Sequence, residues 1–234
     1  MGKKNREGIN FLIDEEVARK IVSLVNVYDK DVLEVGGGLG QLTKYISGYR
    51  TLTIIEKRKE FAERLRSMFP NANVIQGDAL RVEWPEFQVF ISNTPYSIST
   101  PLLERIRNSK FDYAVVTVQR EVADRITASP GSKNYSRLTV MMNMKFQVKR
   151  MFDIPPNKFF PRPKVYSTVL LMRRKETNID PSIEAFVRDL FSQRRKKIKW
   201  LVNSAKYGDR RPEELNLDEF LDLFDEFNAT RRSL

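Results

Sequence analysis

Apolar runs alternate with amphipathic stretches through the first half of the chain. "DVLEVG", "TLTIIE", "NVIQGD", "QVFISN" and "YAVVTVQ" are short runs rich in Val, Ile and Leu, while "QLTKYISG", "KEFAERLRSMF" and "PLLERIRN" between them space their apolar residues as a helix does. Strands covered on both faces read as continuous apolar runs, so this alternation predicts a parallel sheet flanked by helices. Further on, "RLTVMMNMKFQVKRMF" and "VYSTVLLMRRK" read as two more strands joined by a Pro-rich loop, "IPPNKFFPRPK". Past "KETNIDPS" the pattern turns helical, and in "IEAFVRDLFSQRRKKIKWLVNSA" the residues Phe186, Leu190, Phe191, Ile198, Leu201 and Val202 fall on one face. The expected architecture is α/β: a Rossmann-like sheet with helices on both faces over residues 1–176, then a small helical domain over 177–234.

Composition narrows the chemistry. The 234 residues are 41% hydrophobic, and no run approaches the ~18 apolar residues of a membrane span. The opening "MGKKNREGIN" lacks the apolar stretch of a signal peptide, so a cytoplasmic protein with no membrane partner is expected. The chain has no cysteine and no histidine. That excludes disulfides, thiolate–zinc sites, thiol nucleophiles and any mechanism with an imidazole base. Carboxylates, amides, hydroxyls and a cofactor must carry the reaction.

The net charge of +11 points to a polyanionic partner. The excess is uneven: residues 1–175 carry a net +12 and residues 176–234 a net −1. Within that tail the signs separate into a basic block, "QRRKKIK", and an acidic stretch, "PEELNLDEFLDLFDEF". A monomer is expected, because no heptad pattern or exposed apolar stripe stands out.

Three successive strands end in residues suited to one ligand. "VLEVGGGLG" runs from a strand into a turn with Gly36, Gly37, Gly38 and Gly40, where glycine allows positive φ and close approach of a ligand. A tight strand-to-helix turn would use the same residues. Glu56 closes the second strand, where an acid can accept both ribose hydroxyls, and Asp78 closes the third, where a carboxylate can accept from an adenine amino group. Together they outline an adenosine site. The G-x-G-x-G spacing differs from the longer dinucleotide fingerprint, and Glu34, one strand position pair before the glycines, either serves the amino-acid end of S-adenosylmethionine or pairs with an arginine.

The fourth strand ends on Asn93-Thr94-Pro95-Tyr96. An exocyclic adenine amine is a poor nucleophile, because its lone pair is delocalised into the ring. An amide oxygen on Asn93 and the carbonyl of Thr94, both accepting its hydrogens, would draw the nitrogen toward tetrahedral geometry. Pro95 keeps Thr94 out of the α region, and Tyr96 offers a face for stacking. Attack on an activated methyl needs no histidine or thiol; positioning and electrostatics carry it. A strand-end Asx-Pro turn is the plainer use of these residues.

The ordered segments "NFLID", "VLEVGGGLG", "IIEK", "GDAL", "NTPYSIST", "KNYSRLTV", "FFPRPKVYSTV" and "FSQRRKKI" resemble the KsgA-type small-subunit rRNA adenine dimethyltransferases, from about Asn10 to about Ala205. The resemblance implies a class I methyltransferase sheet and transfer of two methyl groups from S-adenosylmethionine to N6 of each of two adjacent adenosines near the 3′ end of small-subunit rRNA. It implies no metal, and a pre-30S-type particle as partner. By position it gives cofactor contacts to Asn10, Leu12, Gly36, Gly38, Glu56, Asp78, Ala79 and Asn93, and catalysis to Asn93 through Tyr96. It places Tyr96 and Phe159 on either side of the target base, which needs two faces to replace its lost stacking. Arg194, Arg195 and Lys197 are expected on rRNA phosphates, or else paired with the acidic tail. Two positions depart from the family's pattern: Ile9 stands where Gln is usual and Thr94 where Leu or Ile is usual. Erm-type large-subunit rRNA methyltransferases, DNA adenine methyltransferases and a non-catalytic ribosome-assembly or transcription factor on the same fold are the competing readings.

Overall fold

The computed structural model describes residues 10–176 and 179–232. Ile9 and the expected domain boundary at Thr177 lie outside the described residues. The strands are β1 (Phe11–Leu12), β2 (Asp31–Val35), β3 (Thr51–Glu56), β4 (Asn73–Gln76), β5 (Val89–Asn93), β6 (Tyr113–Gln119), β7 (Phe146–Ile154), β8 (Phe159–Phe160) and β9 (Ser167–Arg174). The α-helices are α1 (Glu15–Val22), α2 (Lys59–Met68), α3 (Ser99–Asn108), α4 (Arg120–Ile126), α5 (Arg137–Lys145), α6 (Ile183–Ser192) and α7 (Leu217–Arg232).

Seven strands form one sheet in the order β4-β3-β2-β5-β6-β9-β7, and β1 pairs with β8 in a separate ribbon. The pairs β3–β4, β2–β3, β2–β5 and β5–β6 are parallel, and β9 joins β6 antiparallel. The order reverses at β2: β3 lies on one side and β5 on the other. The C-terminal ends of β2 and β5 therefore meet at the switch point, where open α/β sheets hold their ligands. Val32, Ile54, Ile91 and Val115 from the central strands are buried with Ile21 of α1 and Leu65 of α2. The apolar runs form strands because both their faces are covered.

The contacts divide the chain into two compact units. The first takes the residues up to Ala123 and Lys149–Arg174; the second takes Asp124–Val148 and the chain from Lys175 on. The sequence suggested one boundary near 176, but the chain also crosses between the units after Ala123, within α4, and after Val148, within β7. These two further crossings enclose a misread segment. "RLTVMMNMK", expected as strand, is α5, capped by Ser136, whose backbone N–H donates to Thr139 Oγ1 at 3.0 Å. Leu138, Val140, Met141, Met142 and Met144 are all buried, so this helix has no polar face to reveal its period. "QLTKYISG", expected as a helix, holds only a 3₁₀ turn at Thr43–Tyr45.

The first helix past the Thr177 boundary is also shorter than its pattern. α6 stops at Ser192, with Gln193 leaving helical geometry (φ −126°, ψ 38°). Continuing it would stack Arg194 against Lys197 and Arg195 against Lys199 at i,i+3 and i,i+4, where like charges repel. Ending it leaves the cations beyond the negative end of the helix dipole. Ile198 still joins the core of the second unit with Phe186, Leu190 and Phe220, and Leu201 and Val202 pack against it. The apolar positions read correctly from the sequence; the helix did not.

Candidate active site

A cavity of about 360 Å³ opens over the ends of β2, β3 and β5. Asn10, Leu12, Gly36, Gly38, Glu56, Asp78, Ala79, Asn93 and Pro95 all line it, as do Phe11, Glu34, Lys57 and Phe61. Every residue expected at the cofactor therefore comes to one place.

The glycine turn is shaped by backbone geometry. Gly36 has φ +79°, a value that side chains rarely adopt, and lies against Pro95 and the Asn93 carbonyl. Gly38 (φ +52°) passes so close to Phe11 that a Cβ there would sit 3.1 Å from its ring. Glu56 fixes the turn from the next strand. Its Oε2 accepts the Gly38 N–H at 2.8 Å and its Oε1 accepts the Arg58 N–H at 2.9 Å. Each oxygen keeps a lone pair for another donor, as a ribose diol requires.

The third strand's end is held as firmly. Asp78 Oδ1 accepts the Leu80 N–H at 3.0 Å, and Lys57 Nζ stands 3.1 Å from Oδ2. The backbone hydrogen bond and then the lysine hold its carboxyl below the usual range. Beside it the Ala79 carbonyl accepts from Trp84 Nε1 at 3.0 Å and from Arg105 Nη1 at 2.8 Å, while the Arg105 guanidinium lies 4.5 Å from the Trp84 ring centre. Arg105 is on α3, the helix that follows Asn93–Tyr96. Sequence reasoning missed this Trp84–Arg105 clamp, since no motif marks a contact made only by folding.

At the end of β5, Asn93 Nδ2 donates to the Asn10 carbonyl at 3.3 Å, which leaves Oδ1 as the amide's acceptor. The Thr94 N–H donates to the Thr117 carbonyl at 3.1 Å, and the Thr94 carbonyl accepts no hydrogen bond among the described residues. The Thr94 side chain is buried and donates to Ser92 Oγ at 3.1 Å, which donates to the Val35 carbonyl at 2.8 Å. This relay ties β5 to the start of the glycine turn and satisfies a hydroxyl where the family pattern has an aliphatic residue. Tyr96 and Thr94 do not line the cavity. The Tyr96 hydroxyl is 2.6 Å from Ser167 Oγ, which fixes its ring, and burial raises its pKa.

Residues 2–218 match the family described as ribosomal RNA adenine dimethylase. The chain belongs to that family. It is 42% identical over 233 residues to a probable ribosomal RNA small subunit methyltransferase A of Pyrobaculum aerophilum, across 97% of this chain and 100% of the relative. Among solved structures, a dimethyladenosine transferase from Plasmodium falciparum aligns with a TM-score of 0.84 and 26% identity, over 94% of this chain and 97% of that one. The 23S rRNA methyltransferase ErmE aligns with a TM-score of 0.72 at 24% identity, over 94% of this chain and 100% of that one, and shares the fold. The protein is an S-adenosylmethionine-dependent rRNA adenine dimethyltransferase with a Rossmann-like class I fold.

Two expectations for the enzyme need correction. Phe159, assigned to the target base, is 3% exposed and its ring belongs to the core with Leu12, its partner across the β1–β8 ribbon. A two-residue strand points neighbouring side chains to opposite faces. Phe160 is accordingly 67% exposed, and it pairs with Phe11, which lines the cavity. The ribbon is tied down by α1: Asp14 caps that helix by accepting the Val17 N–H at 2.9 Å, and also bonds Lys158.

The basic block, expected on a helix, is a turn in the second unit. Arg194 Nε pairs with Glu213 at 2.9 Å, and Lys197 and Lys199 share Asp209 at 3.2 and 2.8 Å. Arg195 and Lys196 have no ion pair among the described residues. Both belong to the basic block expected on rRNA phosphates, and the exposed, unpaired state that singles them out from its other members is invisible in sequence.

Among the described residues, Glu34 is the one buried acid that lines the cavity and whose protonation is strongly perturbed. It accepts from Thr43 Oγ1 at 2.7 Å. Burial pushes its pKa up to about 7; Thr43 opposes that rise and the Glu56 charge adds to it. No arginine faces it in that bond, so the alternative of a Glu34–Arg pair is not what this side chain forms.

Proposed function

We propose that this enzyme dimethylates N6 of two adjacent adenosines near the 3′ end of small-subunit rRNA, acting as a cytoplasmic monomer on an immature small-subunit particle. The small-subunit assignment is supported by the probable ribosomal RNA small subunit methyltransferase A of Pyrobaculum aerophilum, which aligns over its whole length at 42% identity. The observation that carries the mechanism is the pair of open acceptors at the end of β5: Asn93 Oδ1, on a residue that lines the cavity, and the Thr94 carbonyl, between the cavity-lining Asn93 and Pro95.

S-adenosylmethionine supplies a methyl group activated on a sulfonium. Glu56 would hold the ribose hydroxyls, ionised Asp78 the adenine amino group and the Ala79 backbone the ring edge, with Phe11 and Phe61 as apolar walls. Asn93 and Thr94 would take the two hydrogens of the target amine and localise its lone pair toward the methyl. Tyr96 stacks on the target base from one side, and Phe160, the exposed member of its pair, is the aromatic available for the other. The end of β5 needs no proton acceptor during methyl transfer, since the cationic amine product can lose its proton to water afterwards.

The test is labelled-methyl transfer to unmethylated small subunits, beside large-subunit rRNA and DNA. Incorporation confined to the small subunit, at two adjacent adenosines, is expected. Incorporation into the large subunit or DNA instead would overturn the substrate assignment, and none anywhere would make the protein a binder.

A further inference from the structure

The second unit contains a cavity of about 370 Å³ that the methyl-transfer site does not use. Its floor includes Phe186, Leu190 and Phe224, and its rim carries Trp200, Gln193 and Asn228. Trp200 is 73% exposed, which is unusual for so large an apolar surface. It is also held firmly. Its turn, Ile198–Trp200, is anchored by buried Ile198, whose N–H donates to the Arg210 carbonyl at 2.8 Å, and by the Lys199 N–H on the Gly208 carbonyl at 2.9 Å. An aromatic with few rotatable bonds on a fixed backbone loses little entropy when something stacks on it.

The polar groups around the cavity suit a nucleobase. The carboxamides of Gln193 and Asn228 make no hydrogen bond among the described residues, and each can both donate and accept, as a base edge demands. Arg195 and Lys196, the two cations of the basic turn without an ion pair among the described residues, lie in the four-residue connection between Gln193 and Ile198, directly after the rim residue Gln193 in the chain. An aromatic face, one free amide and two unpaired cations on one short segment, with a second free amide facing them from α7, are the parts of a single-stranded nucleic-acid platform. A protein side chain could fill the apolar floor, but it would leave both cations and both amides without a role.

Resting on the rRNA reading above, the geometry points to a second base-binding site: the Trp200 cavity takes one unpaired nucleobase of the RNA substrate while Arg195 and Lys196 hold the adjoining phosphates. It anchors the substrate and does no chemistry. It also gives the enzyme a means of preferring RNA with an unpaired nucleotide over a continuous duplex.

Tryptophan fluorescence reads this directly, with Trp200→Phe used to subtract the signal of Trp84. Titration with a single-stranded oligoribonucleotide is expected to quench Trp200, and a blunt duplex with the same number of phosphates to leave it unchanged. Trp200→Ala should weaken single-strand binding about ten-fold, as loss of one stacked base does, with duplex binding unaltered and Trp200→Phe retaining most of the affinity. With the small-subunit substrate, KM should rise while kcat stays the same. Equal quenching by both RNAs, or no loss of affinity in Trp200→Ala, would overturn the proposal. So would a loss seen only with the protein-containing particle and not with naked rRNA, which would assign the cavity to a protein partner. Failure of wild-type methyl transfer to small-subunit rRNA, with Trp200 still reporting single-stranded RNA, would refute the functional reading and leave the base site standing.

Discussion

The cofactor cavity and the basic turn both gather polar groups for an anionic or polar ligand, yet they are built in opposite ways. In the cavity, backbone N–H and carbonyl groups at strand ends set the positions: Glu56 is held by Gly38 and Arg58, Asn93 by Asn10, and Asp78 by Leu80. In the turn, Arg194 is placed by a half-buried ion pair with Glu213, and Lys197 and Lys199 by exposed pairs with Asp209 that are each worth at most about 1 kcal/mol. A site that must align a methyl and an amine needs the first kind of support. A site that only attracts phosphate works with the second, because such pairs are readily exchanged for phosphate.

If that contrast is right, changes around the cavity should be costly and changes in the turn mild. Phe159→Ala should cost about 3–5 kcal/mol of stability, the usual loss for a buried phenylalanine, measured by denaturant unfolding. Phe160→Ala should leave stability within about 0.5 kcal/mol and lower methyl transfer about ten-fold. The reverse pattern would return the stacking role to Phe159.

Glu34 gives a sharper test of the buried side. Its folded pKa of about 7 lies above its ordinary 4.5, so the folded state keeps a proton that the unfolded state has released. Its contribution to stability therefore falls as pH rises from about 4.5 to about 7, and is level above that. Glu34→Gln keeps an acceptor for Thr43 and removes the titration. The variant should gain on wild type across this window, by on the order of 3 kcal/mol at pH 8, in unfolding midpoints measured from pH 5 to 8. A constant difference would mean that Glu34 is ionised throughout.

Glu56→Gln exchanges one acceptor oxygen for a donor. It should weaken S-adenosylmethionine binding about 10- to 100-fold in calorimetry, as loss of a hydrogen bond to a charged group does. The smallest effect belongs to the turn. Arg195→Ala with Lys196→Ala should reduce the slope of log affinity against log salt by about 1.5, without changing stability. Arg194→Ala with Lys197→Ala should reduce it less, since both cations already have carboxylate partners. Equal effects would mean that the ion pairs place no constraint on these side chains.

The same contrast explains what could be read from the sequence. Strand-end residues are set by chain order, so Gly36, Glu56, Asp78 and Asn93 were legible once the alternating pattern fixed the strands. Phe159 and Phe160 were not, because the facing of a two-residue strand depends on its partner, β1. α5 was hidden by burial on all sides, and the end of α6 by a repulsion that an apolar pattern does not register. The Trp84–Arg105 clamp joins residues from separate elements and leaves no local trace.

The account rests on the acceptors at the end of β5. Single-turnover methyl transfer by Asn93→Ala, with S-adenosylmethionine and small-subunit substrate both saturating, tests them most directly. Loss of one pre-positioned acceptor at the reacting nitrogen predicts a rate about 100- to 1000-fold below wild type, with RNA affinity unchanged. Transfer at the wild-type rate would contradict it.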